Sequence, residues 1–135
     1  MSYKIEEIEG IGSTYAAKLN KEGIITTTDL LERCGTKQGR VKIAELTHIP
    51  ESLILTWVNH SDLMRLKGVA GQISELLEAA GIDSVPELKT RNATNLHAKL
   101  VQVNEQFGLS GRVPSVEELQ DLIDQAKALS REVTH

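Results

Sequence analysis

The stretch Ile8-Glu9-Gly10-Ile11-Gly12-Ser13-Thr14-Tyr15-Ala16-Ala17-Lys18-Leu19 returns fifty-eight positions later as Leu66-Lys67-Gly68-Val69-Ala70-Gly71-Gln72-Ile73-Ser74-Glu75-Leu76-Leu77. The register continues without a gap through Gly23 and Gly81, Ile24 and Ile82, Thr26 and Ser84, Asp29 and Glu87, Leu30 and Leu88, and Arg33 and Arg91. A fixed period is architecture before it is function. Residues 8–33 and 66–91 are therefore expected to fold as the same unit, with residues 1–61 forming a first repeat and 62–135 a second repeat that includes a C-terminal helix.

Each copy reads as an apolar residue, a glycine-rich hairpin and a helix whose first backbone N–H groups lack an intrahelical partner. Gly10 and Gly12 permit positive φ and close approach of a ligand, and the helix dipole adds about half a positive charge at the same spot. The pattern describes a seat for an anion: Gly10, Ile11, Gly12, Ser13 and Thr14, with Lys18 one turn further on. Further charge is expected from Arg40 and Lys42 in a basic run after the first copy, and from Arg65 and Lys67 beside Gly68 and Gly71 of the second. The second hairpin departs from the pattern, because Ala70 stands where Gly12 stood and Gly71 comes one place late. Phosphate binding there is correspondingly in doubt.

At these residues the chain resembles the helix-hairpin-helix family, whose hairpin reads apolar-x-Gly-apolar-Gly with a small residue at the position of Ala16. The resemblance implies sequence-independent contact with the phosphates of DNA. The whole chain, and in particular Trp57-Val58-Asn59 with Asp62-Leu63-Met64-Arg65, is also similar to a group of bacterial tandem helix-hairpin-helix proteins catalogued only as a domain of unknown function. That likeness implies a fold and no activity.

The coarse reading along the chain is helical throughout. A first helix is expected over Tyr3–Ile8, a second over Ser13–Glu22 stopped by Gly23, and a third from a Thr26/Asp29 capping box to about Cys34, a device that Ser84 and Glu87 would repeat. Helices are expected next over Thr36–Thr47, from Pro50 along the stripe Leu53, Ile54, Trp57 and Val58, and over Asp62–Leu66 with Ser61 as its cap. Gln72–Ala80, Val85–Lys89, Ala93–Phe107 behind Asn92, and a last helix from the Ser115/Glu118 capping box to about Arg131 complete the series. The expected fold class is all-α, two tandem repeats of short helices in one compact unit with pseudo-twofold symmetry. An aromatic content of only 3% leaves aliphatic side chains to fill the core, so Trp57 reads as core rather than as a base-stacking platform.

Charge and residue chemistry narrow the function. A net charge of −4 argues against a general nucleic-acid binder, and Glu6, Glu7 and Glu9 crowd the first hairpin. The four histidines and the single Cys34 show no paired metal spacing, no serine-histidine-acid set or phosphate loop is present, and the third glycine of a dinucleotide fingerprint is missing. No enzyme activity, cofactor, metal or small-molecule substrate is implied. The lone cysteine and the lack of a leader pattern point to the cytoplasm, and the most apolar window, Ile49–Val58, is too short to span a bilayer. Two functions stay open: a DNA-binding module contacting phosphates, and a protein-interaction or scaffolding domain whose hairpins serve only for packing.

Overall fold

A computed structural model of the protein describes residues 2–135. Among them a 3₁₀ turn, Ile5–Glu7, precedes eight α-helices: α1 Gly12–Lys21, α2 Thr27–Cys34, α3 Lys37–Thr47, α4 Glu51–Leu63, α5 Gly71–Ala79, α6 Val85–Leu88, α7 Ala93–Phe107 and α8 Val116–Ala128. The fold is all-α, and extended pairing among the described residues is confined to one antiparallel bridge between Lys4 and Thr26. That bridge explains why Tyr3–Ile8 is not a full helix. The Ile5 N–H goes to the Ile25 carbonyl at 3.0 Å and the Thr27 N–H to the Tyr3 carbonyl at 2.8 Å, which holds the flanking backbone extended.

Side-chain caps set four of the eight α-helix starts. Thr26 Oγ1 accepts from the Asp29 N–H at 3.1 Å, and Asp29 Oδ2 accepts from the Thr26 and Ile25 N–H groups at 3.0 Å each. Those two backbone donors favour the charged form and hold the Asp29 carboxyl below its ordinary range. Thr36 and Asn92 cap α3 and α7 through the N–H groups of Gly39 and Asn95, and Ser115 with Glu118 forms a second full capping box at α8.

Two expected caps are overturned. Ser61 starts no helix, because α4 runs on through Leu63 and carries Ser61 as a fully buried residue inside it. Ser84 does not cap α6: the Val85 N–H is taken instead by Asp62 Oδ2 at 2.8 Å, and Glu87 pairs with Arg91 at 2.7 Å. An acid on α4 thus holds the first N–H of α6, and Ser84 makes no cap bond. The last helix also ends earlier than expected, at Ala128.

Several backbone bonds recur at a spacing of fifty-eight residues. The Ile11 N–H reaches the Ile8 carbonyl at 3.3 Å and the Val69 N–H the Leu66 carbonyl at 3.2 Å. The Ile24 N–H reaches Leu19 at 3.1 Å and the Ile82 N–H reaches Leu77 at 3.0 Å, closing α1 and α5 in the same way. Gly23 and Gly81 stop those helices at φ +82° and +94°, a left-handed conformation that L side chains avoid. Equivalent side chains are also buried together: Ile5 and Leu63, Ile8 and Leu66, Ile11 and Val69, Leu19 and Leu77, Ile24 and Ile82, Leu30 and Leu88. Each aliphatic side chain taken out of water contributes about 1.5–3 kcal/mol, so one shared core carries the stability of both halves.

Candidate interaction surface at the glycine turns

The first glycine turn holds Gly10 at φ +81° and Gly12 at φ +72°, with Ile11 between them buried as an anchor. Ile11 offers no side-chain cap, so the N-terminal N–H groups of α1 point outward beside exposed Gly12, Ser13 and Thr14. Lys18 is half-buried, its ammonium 5.9 Å from the centre of the Tyr15 ring, which itself lies tilted on Trp57 at 5.3 Å between centroids. Trp57 is buried, as expected of a core residue.

Acids surround this turn. Exposed Glu6, Glu7 and Glu9 line one cavity of about 800 Å³ together with Gly10 and Gly12, and its far wall is the start of α5 and the loop at 110–112. Arg112 is the single cation on its lining and is committed to Glu118, whose carboxyl it pulls down to about 2 from an ordinary 4.5. The field at the first turn is therefore negative, although the end of α1 is positive.

The second turn is built differently. Gly68 keeps a positive φ of +103°, but Ala70 is extended at φ −113°, so the backbone does not repeat the Gly12 conformation. Gly71 is buried, and a Cβ there would overlap the Glu7 carbonyl oxygen and meet Glu9 Oε1 at 3.3 Å. Gly71 is thus a contact point between the two turns rather than a ligand seat. Arg65 is held by Asp62 at 2.8 Å and Glu132 at 3.5 Å. Lys67 is exposed, but both of its backbone polar groups are taken by Gln125, at 2.9 Å through Oε1 and 3.1 Å through Nε2.

Arg40 requires a correction. It is 1% exposed and donates to the carbonyls of Cys34, Gly35 and Thr134 at 3.2, 3.1 and 2.8 Å, leaving nothing for an external phosphate. Lys42 is exposed on α3 and lines neither turn. The structure therefore brings Gly10 and Gly12 onto one cavity with Gly71, leaves Ile11 buried and Ser13 and Thr14 exposed off its lining, puts Lys67 and Gly68 in a separate cavity of about 730 Å³ under α8, and withdraws Arg40 and Arg65 into internal bonds. Gln125 and Arg112 go unnamed in the sequence reading, and Asp62 enters it only as a helix start and part of a motif, because their partners lie 58, 6 and 23 residues away and carry no periodic signal.

Among the described residues no group of three or more His, Cys, Asp or Glu could hold a metal ion, and no helix is long and apolar enough to cross a membrane. The fold and these turns define a small all-helical domain with an acidic cavity between two glycine turns. The chain belongs to the family described as Domain of unknown function (DUF4332), whose model matches residues 9–129. No curated protein and no solved structure matches the chain.

Proposed function

We propose that the protein is a non-enzymatic protein-interaction or scaffolding module: two tandem helix-hairpin-helix units, related by a pseudo-twofold axis, in which the hairpins serve as packing devices and an acidic face meets a partner. The observation that carries this reading is the cavity at the first turn, where Glu6, Glu7 and Glu9 share a wall with Gly10 and Gly12. Three exposed carboxylates repel a phosphate backbone that the amides of α1 would otherwise attract. Packing of Gly71 beneath Glu7 supports the same view, since one turn is spent on holding the other.

Sequence-independent binding of DNA phosphates is the second reading, favoured by the uncapped start of α1 beside exposed Ser13 and Thr14. It predicts weak affinity, on the order of 10⁻⁴ to 10⁻⁶ M, with a log–log salt slope of about −0.9 for each phosphate neutralised on duplex. A photo-crosslinking side chain in place of exposed Gln72, on the cavity wall, separates the two in cells. A protein adduct supports the first reading; a nucleic-acid adduct replaces it with the second; no adduct of either kind sinks both.

A further inference from the structure

We infer that the first glycine turn is a docking site for a basic helix of a partner protein, seated on the Glu9–Gly10 backbone as α8 is seated on Lys67–Gly68. The inference rests on the protein-interaction reading above and names the partner's chemistry. At the second turn Gln125 of α8 clasps the N–H and C=O of Lys67, and Leu122 Cδ2 lies 3.8 Å from where a Cβ on Gly68 would be. The equivalent position of the first turn, fifty-eight residues earlier, is bare. Nothing lies within 4 Å of a Cβ built on Gly10, and the N–H and C=O of Glu9 have no partner among the described residues.

The charges at the two turns are reversed, which chooses the occupant. Lys67 of the second turn occupies the register position of Glu9, and the helix over the second turn turns acids, Glu117 and Asp121, toward the Lys67 cavity; Arg65, at the position of Glu7, is already paired with Asp62 and Glu132. A basic turn is covered by an acidic helix. An acidic turn built on the same backbone register is complementary to a helix carrying Lys or Arg at those places, with a glutamine to clasp Glu9 and a leucine over Gly10. Anchors at i and i+3, as in Leu122 and Gln125, are how an amphipathic helix lies in a groove, and exposed complementary charge sets its specificity and salt dependence.

The test uses the full-length protein and a labelled peptide of residues 115–129 carrying Glu117→Lys, Glu118→Lys and Asp121→Lys. A lactam that condenses the amine of Gln120→Lys with the Asp124 carboxyl, both outside the Lys67 contact, holds it helical, because a peptide this short is marginally helical in water. The expected result is binding by fluorescence anisotropy that weakens with salt, drops at least about tenfold in the Glu7→Lys, Glu9→Lys double variant, and is unchanged in Lys67→Glu. The same stapled peptide with its native acids should not bind. Circular dichroism confirms that each variant is folded. No binding at low salt, equal binding to the double variant, or self-association of the protein through this turn overturns the inference. A protein adduct at position 72 combined with any of these failures leaves the module reading standing and removes only the basic helix.

Discussion

Arg40 ties the C-terminal tail to α3: its Nη2 donates to the carbonyl of Thr134 at 2.8 Å, across 94 residues of chain. Two more bonds to Cys34 and Gly35 and an ion pair with Glu51 at 3.4 Å complete its surroundings, so every nitrogen of a cation that is almost wholly buried has an acceptor. The tail is fixed from the other side by the Thr134 N–H on the Gly35 carbonyl at 2.9 Å. Arg40→Ala leaves the carbonyls of Cys34 and Thr134 without their donor, while Gly35 keeps the Thr134 N–H, and should destabilise the protein by about 2–4 kcal/mol. Urea denaturation measures the loss, and amide exchange at Thr134 should accelerate with it; an unchanged midpoint would show that the clamp carries no stability.

Two glycines separate strain from crowding. Gly10 has positive φ and open space around it, so Gly10→Ala pays only for backbone conformation, roughly 1–2 kcal/mol. Gly71 is crowded by the Glu7 carbonyl, so Gly71→Ala must push the two turns apart and should cost more, about 2–4 kcal/mol. Denaturant midpoints for the pair give the order directly. The reverse order would mean that the turns are not in contact at Gly71.

The start of α6 should depend on an acid rather than on its own serine. Asp62→Ala removes the acceptor for the Val85 N–H and the partner of Arg65 and should destabilise by about 3–5 kcal/mol, as loss of one member of a buried pair does. Ser84→Ala makes no difference to any cap bond and should shift the thermal midpoint far less. Equal effects of the two substitutions would return the cap to Ser84.

Acid should weaken the fold through its depressed carboxylates. Backbone bonds from Ile25 and Thr26 lower Asp29, and the Arg112 guanidinium lowers Glu118 to about 2. A carboxyl whose folded pKa lies below its unfolded value contributes stability above the unfolded value and loses it as pH falls through the folded one. For Glu118 that window runs from about 4.5 down to about 2, and salt should shrink this part because both partners face solvent. The urea midpoint between pH 7 and 2 should fall, and Asp29→Asn should flatten the curve; a steeper curve in that variant would contradict the sign.

Cys34 should be inert in the native protein. It is wholly buried, and burial raises its thiol to about 11, so almost no thiolate exists at neutral pH. Labelling by a disulfide reagent should proceed at the rate of unfolding and jump in denaturant. Fast labelling under native conditions would place the thiol at the surface.

What was legible in the chain was local. Thr26 with Asp29, Asn92 and Ser115 with Glu118 each announce a helix start through a partner three residues away, and all three form the bond expected of them. The glycine turns were legible for the same reason, since positive φ at Gly10 and Gly23 is a property of the residue. The site was read less well because its chemistry is long-range. Arg40 reads as one cation in a basic run, and only the packing of the tail against α2 and α3 shows that its carbonyl partners come from the end of α2 and from the C-terminal tail. Ser84 misled because its competitor, Asp62, comes from another helix.

From Trp57 to Met64 every side chain of α4 and its cap is buried, so the chain passes from its first half to its second through the interior. A protease therefore finds no exposed tether at the midpoint, and its first cut should fall in the breaker-rich loop around Gly108 and Gly111. The same contrast says where the molecule tolerates engineering. A reporter or affinity tag inserted between Gly108 and Gly111 leaves the core closed, whereas splitting the gene at residues 59–62 yields two fragments with raw apolar faces that are soluble only once they have found each other again.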